Sequence, residues 1–314
     1  MPAIVSTMEL TDRLREQIRL AAPGHTLIEV DRRDVAAQKE AAREAEIWFG
    51  FGPSAEVFAE ARGLRWVQST TAGVDRLLHP ALVDSDVIVT NVRGMHADTI
   101  GDHVLMGMLA LARNLPRLVH QQAARRWAPV PVAELSGDTL GIIGLGAIGQ
   151  AVARRGAACG MRVIGTRRRA GTVAGVDEVF GPEGREQVLR RSRWVVLACP
   201  LTAETRGLIG PRELGWMEGG FLINIGRGAL VQEPALIAAL EDGRLAGAFL
   251  DVFDEEPLPE TSPLWRLPNV LITPHIGGGQ RDYAGRAVEI FVDNLARYRQ
   301  GSPLRNLVDK QAGY

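Results

Sequence analysis

Residues 139–150 read TLGIIGLGAIGQ, and Gly144, Gly146 and Gly149 fall in the spacing GxGxxG. An apolar run precedes the glycines and a helical pattern over 147–158 follows them, which is the context that dinucleotide chemistry needs. Gly144 permits the tight turn, Gly146 lets backbone approach a pyrophosphate, and Gly149 lets the helix pack close to the strand. The unpaired N–H groups and dipole at the helix start attract the phosphates. The next apolar run, MRVIGT, ends at Thr166. An NAD site usually places Asp or Glu there to hold the ribose 2′-hydroxyl. This chain has Arg167 and Arg168 instead. A guanidinium binds a 2′-phosphate in a bidentate way, so NADP(H) is expected, with NAD(H) possible. A solvated surface run of arginines is the plainer alternative.

Three further segments carry reactive side chains. Arg227 lies in INIGRGALVQE, Asp251 and Glu256 in FLDVFDEEPLP, and His275 in ITPHIGG. Each follows an apolar run that reads as a strand, and ligands bind at the carboxyl ends of strands in an open parallel sheet. Singly, each residue is ordinary: a histidine at a strand end is more often structural, Glu255 and Glu256 can be loop charges, and an arginine between glycines can cap a helix. Together, and after the glycine loop, they point to a reaction site beside a nicotinamide.

The elements that must position these residues follow βαβ grammar. Residues 3–6, 26–30, 47–51, 65–68 and 87–90 read as strands, with helices over 9–21, 35–45 and 54–61 between them. A long helix is expected over 98–115 and a second to about residue 127. A new series opens with strand 139–143 and continues with strands 162–165, 194–199, 220–224, 247–251 and 270–273. An amphipathic helix over 281–298 ends it. The alternation implies an α/β chain with parallel sheets and helices on both faces. The break between the two series falls near 91–98. Residues 100–112 are strongly apolar but interrupted by Asp102 and His103, and they read as a buried helix.

Composition sets the outer limits. The 314 residues carry 36 basic and 37 acidic side chains, a formal net charge of -1, so no global field holds a nucleic acid. Two cysteines, Cys159 and Cys199, point to a reducing compartment, and no Cys/His spacing suggests a metal. No signal peptide and no membrane span are expected, and the chain is read as cytoplasmic.

The segments STTAGVDRL (69–77), GIIGLGAIGQ (141–150), CPLTAETRGLI (199–209), NIGRGALV (224–231), DVFDEEPLP (251–259) and TPHIGG (273–278) resemble the D-isomer-specific 2-hydroxyacid dehydrogenases. That group includes glyoxylate/hydroxypyruvate reductases and phosphoglycerate dehydrogenases. The resemblance implies two doubly wound domains, Rossmann-like and flavodoxin-like, with an active-site cleft between them and a homodimer. It implies a discontinuous substrate domain, 1–95 plus 285–314, and a dinucleotide domain, 96–284.

By the same resemblance, His275 is the acid/base, since imidazole suits proton transfer near neutral pH. Glu256 orients its ring and favours the imidazolium. Arg227 grips the substrate carboxylate and polarises the carbonyl, and the backbone N–H groups of Ala72 and Gly73 complete that site. Asp251 accepts from the nicotinamide amide. Cys199 and Pro200 border the adenosine half, and Thr205 approaches the phosphates. Ala147, Ile148, Ile225, Gly226 and Gly277 line the cofactor. Phe49 and Phe51, in WFGFGPS, either shape the substrate pocket or belong to the core, with Phe51 the one assigned to substrate. Met95 and His96 near the hinge can face the cleft. The choice among glyoxylate, hydroxypyruvate, pyruvate and bulkier 2-oxo acids stays open. Residues 117–135 form either a dimer arm, with Trp127 as anchor, or a solvated connector. A different class, a non-catalytic dinucleotide sensor on the same fold, is disfavoured because Arg227, Glu256 and His275 are all present. A Rossmann-fold methyltransferase shares the glycine loop but not ITPHIGG or NIGRG. Glu256 argues against a formate dehydrogenase, which typically carries glutamine there.

Overall fold

The computed structural model describes residues 1–169 and 171–314. Met1–Met95 with Gln280–Tyr314 form one compact unit and His96–Gly279 the other. The first unit runs β1 (Ala3–Ser6), α1 (Asp12–Ala21), β2 (Thr26–Glu29), α2 (Val35–Ala42), β3 (Ala45–Gly50), α3 (Ala55–Phe58), β4 (Trp66–Ser69), α4 (Pro80–Val83) and β5 (Ile88–Thr90). The second unit opens with α5 (Ala97–Ala112) and α6 (Leu115–Ala123), then β6 (Thr139–Ile143), α7 (Ala147–Ala158), β7 (Arg162–Thr166) and β8 (Glu178–Phe180). It continues with α8 (Arg185–Arg191), β9 (Trp194–Leu197), α9 (Pro211–Gly215), β10 (Phe221–Asn224), α10 (Glu233–Glu241), β11 (Gly247–Leu250) and β12 (Val270–Ile272). The final helix, α11 (Tyr283–Arg299), belongs to the first unit.

The first sheet has the order β2-β1-β3-β4-β5, all parallel. This is the flavodoxin-like order. Thr11 caps α1 by accepting from the Leu14 N–H, and α1 turns Leu14 and Ile18 inward. There they join Ile4, Ile47, Phe49, Trp66 and, from α11, Val288, Phe291 and Leu295. Phe49 is fully buried and stacks on Phe291 with ring centroids 4.3 Å apart. It is a core aromatic, not a pocket residue. Gly50, at φ +146, turns the chain out of β3 and leaves Phe51 42% exposed.

The second sheet has the order β12-β11-β10-β9-β6-β7-β8, again all parallel. Read from β8 through β11 it is the Rossmann order, extended by β12. The period-two alternation sorts its side chains onto two faces. Val195 and Leu197 of β9 face a core closed by Val188 and Leu189 of α8 and Leu236 and Leu240 of α10. Trp194 and Val196 of the same strand face Val104 and Met108 of α5 and Val152 of α7. Gly107 lets α5 approach β11, since a Cβ there would lie 2.0 Å from the Phe249 ring.

Three local expectations differ. β8 lies outside the strands that the sequence pattern implies; it is three half-buried residues at the sheet edge. The helix expected over 54–61 is one turn, α3. The second helix ends at Ala123, before Trp127. Among the described residues no helix is long and apolar enough to cross a membrane.

Candidate active site

In the second unit the strand order reverses between β6 and β9, so a crevice opens at their carboxyl ends. The glycine loop lies there. Gly144 has φ +106, and a Cβ on it would sit 2.6 Å from the Cys199 nitrogen. Gly149 passes so close to β6 that a Cβ would lie 2.2 Å from the Gly144 oxygen. At Gly146, by contrast, a Cβ would meet nothing within 4 Å. That residue is the N-cap of α7 and makes no side-chain cap, so the first turn, with Ala147 and Ile148, presents uncapped N–H groups to open space. The loop thus fits a dinucleotide pyrophosphate: closed against the protein at two glycines and open at the third.

The loop's other anchors are also in place. The Thr166 carbonyl accepts the Gly144 and Leu145 N–H groups, at 3.1 and 2.8 Å. Arg167 follows directly, half-buried, with its N–H on the Phe180 carbonyl at 3.0 Å; Arg168 is exposed. Cys199 and Pro200 leave β9 opposite Gly144. Burial pushes the Cys199 thiol up to about 11, so it stays neutral and lines the crevice without nucleophilic character. The Thr205 hydroxyl donates to the Pro200 carbonyl at 2.7 Å and accepts the Thr202 N–H at 2.8 Å, so its proton is committed to shaping this loop.

Three neighbouring strands, β10, β11 and β12, deliver the reactive side chains to the same edge. After β10, Asn224 holds the turn by donating to the Arg227 carbonyl at 2.9 Å and accepting the Gly226 N–H at 3.1 Å. Gly228 then packs flat on the loop after β11: a Cβ there would lie 1.8 Å from the Phe253 carbonyl carbon. This contact ties the Arg227 segment, which includes Ile225 and Gly226, to the loop that carries Glu256. Glu256 is held from below, since Oε1 accepts the Phe253 N–H at 3.1 Å.

Its other oxygen, Oε2, lies 2.9 Å from His275 Nδ1. A carboxylate only accepts, so Nδ1 carries the proton, and Nε2 is the atom that gains or loses one. The His275 side chain is 46% exposed while that of Glu256 is 18% exposed. The arrangement is a half-buried carboxylate orienting an accessible imidazole, and such a pair suits general acid/base work.

Asp251 departs from the sequence expectation in emphasis. It is 3% exposed and already engaged on both oxygens. Oδ1 accepts the Thr273 hydroxyl at 2.6 Å and the Ile276 N–H at 2.9 Å; Oδ2 accepts the Gly277 N–H at 2.9 Å. Burial pushes this carboxyl up, but hydrogen bonds from His103, Thr273, Gly277 and Ile276 outweigh it and hold the group below the ordinary aspartate range. Oδ1 is filled, so only the second lone pair of Oδ2 is left for a nicotinamide amide. Thr273 and His103 join this network with no signal in the sequence beyond an imidazole that interrupts an apolar helix.

In the first unit, the loop after β4 is shaped by its carbonyls. Tyr283 donates to the Thr70 carbonyl, Asn91 Nδ2 to that of Ala72 at 2.8 Å, and Thr71 Oγ1 to that of Gly73 at 2.8 Å. No described residue accepts the N–H of Ala72 or Gly73. The half-buried loop thus has its carbonyls engaged and the N–H groups of Ala72 and Gly73 without an acceptor, which suits an anion. Phe51 leaves the neighbouring strand β3 with Arg32 stacked over its ring at 5.1 Å. His96 caps no helix with its side chain; its Nδ1 lies 3.2 Å from the Gly278 carbonyl. Among the described residues there is no group of side chains able to hold a metal ion.

Residues 105–277 match the family described as D-isomer specific 2-hydroxyacid dehydrogenase, NAD binding domain. The chain is 35% identical over 266 residues to a glyoxylate reductase of Korarchaeum cryptofilum, covering 82% of this chain and 80% of that one. It is 35% identical over 268 residues to the glyoxylate reductase of Pyrococcus furiosus, covering 82% and 79%. Among solved structures, a D-isomer specific 2-hydroxyacid dehydrogenase from Xanthobacter autotrophicus Py2, in complex with NADPH and MES, aligns with a TM-score of 0.86 at 33% identity, over 100% of this chain and 99% of that one. An NADPH-dependent glyoxylate/hydroxypyruvate reductase from Sinorhizobium meliloti, in complex with NADP and sulfate, aligns with a TM-score of 0.87 at 28% identity over 100% of both chains. Fold and site together define a dinucleotide-linked α/β protein. The chain belongs to the D-isomer specific 2-hydroxyacid dehydrogenase family.

Proposed function

We propose that this chain is an oxidoreductase that reduces a small 2-oxo acid, such as glyoxylate or hydroxypyruvate, to the D-2-hydroxy acid, using NADP(H) in preference to NAD(H). The observation that carries this reading is the 2.9 Å contact between His275 Nδ1 and Glu256 Oε2, on the sheet edge that also holds Arg227. The bound cofactor supplies a hydride. His275 Nε2 gives its proton to the substrate carbonyl oxygen, and Glu256 stabilises the imidazolium before that transfer. Arg227 pairs with the substrate carboxylate and draws charge toward the carbonyl oxygen. The N–H groups of Ala72 and Gly73 bind the same carboxylate, and Phe51 bounds its side chain.

Gly144, Gly146, Ala147, Ile148 and Gly149 hold the pyrophosphate; Thr205 supports its loop. Arg167 and Arg168, beyond Thr166, bind the 2′-phosphate. Cys199 and Pro200 would border the adenosine half, while Ile225, Gly226, Asp251 and Gly277 would line the nicotinamide. The free thiols Cys159 and Cys199 suit a reducing cytoplasm. A homodimer is supported by α6, which exposes Leu115, Leu118 and Val119 at helical spacing, and by the fully exposed Trp127 beyond it.

The test is absorbance loss at the reduced-nicotinamide band with NADPH and NADH in parallel, against glyoxylate, hydroxypyruvate, pyruvate and phenylpyruvate. Turnover faster with NADPH is expected. Tight dinucleotide binding with no turnover would replace this reading by a dinucleotide sensor.

A further inference from the structure

His275 is held in an unusual backbone conformation, with φ +53. For a residue with a Cβ, the left-handed region costs roughly 1–2 kcal/mol. Such a conformation persists only where its surroundings impose it. Here the two peptide N–H groups that follow, on Ile276 and Gly277, converge on the Asp251 carboxylate, each at 2.9 Å. Successive N–H groups on one anion form a nest. The nest fixes the turn only if the carboxylate is itself fixed.

The group that fixes it comes from another layer. α5 is apolar where it faces the sheet, yet it carries His103 there, with its side chain 11% exposed and its ring 5.0 Å from that of Phe249. His103 Nε2 lies 3.0 Å from Thr273 Oγ1 and 3.3 Å from Asp251 Oδ1. Thr273 has one hydroxyl proton, and the 2.6 Å contact gives it to Asp251. The hydroxyl must therefore accept from His103, so Nε2 carries a proton whatever the charge of the ring. The result is a directed relay from imidazole to hydroxyl to carboxylate, ending on the two amides beside His275. Gly277 completes the closure: a Cβ there would lie 2.9 Å from Asp251 Oδ2 and 3.0 Å from His103 Cδ2.

We infer that His103 is a positioning residue, which donates through Thr273 to Asp251 and so holds the 273–277 turn, and with it His275, in its left-handed geometry. The inference rests on the reading of His275 as the proton donor, and its test separates the two. His103→Leu keeps an apolar filling and removes the donor; His103→Gln keeps an N–H near the Nε2 position.

In the cofactor-free protein, amide exchange at Ile276 and Gly277 should rise about three- to tenfold in His103→Leu, the equivalent of one ordinary hydrogen bond. In His103→Gln it should stay within about twofold of the parent. In turnover, His103→Leu should lower kcat by about 10- to 100-fold, the scale of a small misplacement, with KM nearly unchanged. His103→Gln should recover most of that loss. If His103→Leu does not fold, Thr273→Val breaks the relay at its middle with little change of shape and should reproduce both effects. Unchanged exchange in His103→Leu, or equal impairment in the leucine and glutamine variants, would overturn the proposal and leave His103 a packing residue. Exchange that responds as expected in a chain that reduces no 2-oxo acid would keep the relay and sink only the reading of His275.

Discussion

The sharpest separation between fold and ligand lies in the glycine loop, at Gly146→Ala. Gly146 has φ -79 and ψ -163, which any L residue adopts, and a Cβ there meets no protein atom within 4 Å. Alanine is a poorer N-cap than glycine by less than about 1 kcal/mol. The melting temperature of the larger unit should therefore fall by at most about 2–4 °C. The methyl group does, however, fill the space through which a pyrophosphate reaches the first N–H groups of α7. Loss of one charge-assisted hydrogen bond costs about 1.5–3 kcal/mol, so the NADPH dissociation constant should rise about 10- to 100-fold. Gly149→Ala is the control with the opposite signature. Its Cβ would lie 2.2 Å from the Gly144 oxygen, so overpacking should destabilise the unfilled protein by about 1–3 kcal/mol. Calorimetric titration with NADPH, paired with thermal melts, reads both quantities. NADPH binding within about twofold of the parent in Gly146→Ala would refute the reasoning, because the pyrophosphate would then not approach the backbone at that residue.

Two further outcomes are expected. Arg167→Ala should raise KM for NADPH by about 10-fold or more while leaving that for NADH nearly unchanged, because only the 2′-phosphate is lost as a partner; equal change with both cofactors in steady-state assays would demote Arg167 to a surface charge. Burial holds the His96 imidazole below its ordinary 6.5, against a raising hydrogen bond to Gly278. As pH falls below about 6.5 the unfolded chain takes up a proton that the native chain refuses, so stability should drop, and His96→Gln should flatten that drop between about pH 7 and 5 in urea melts. Parallel curves for parent and variant would contradict it.

The elements around the glycine loop were readable from sequence because local signals agree there. β6 and α7 both have the bounds that the TLGIIGLGAIGQ pattern implies, since apolar alternation, glycine turn and helix start occur in one uninterrupted run. Where signals conflict, boundaries moved. Phe51 reads as strand by its side chain, but the positive φ of Gly50 has already ended β3. β8 escaped because Glu178, Val179 and Phe180 are all half-buried at a sheet edge, so no periodicity marks them.

The pairing of Glu256 with His275 was expected from the resemblance, whereas the hydrogen bonds that join Asp251 to Thr273 and His103 were not. Asp102 and His103 look alike as interruptions of an apolar helix. Asp102 pairs with Arg155 at 2.8 Å on an exposed face, while His103 turns inward to Thr273 and Asp251. Only the packing of α5 on β11 distinguishes them, and that contact joins segments far apart in the chain.

The central claim is that the imidazole oriented by Glu256 hands a proton to the substrate. The most direct test is turnover of His275→Ala with NADPH and the best 2-oxo acid, alongside NADPH binding to the same protein. A loss of about 10²- to 10⁴-fold in kcat with binding nearly intact is expected. Turnover equal to that of the parent would contradict the assignment, and with it the mechanism built on the His275–Glu256 pair.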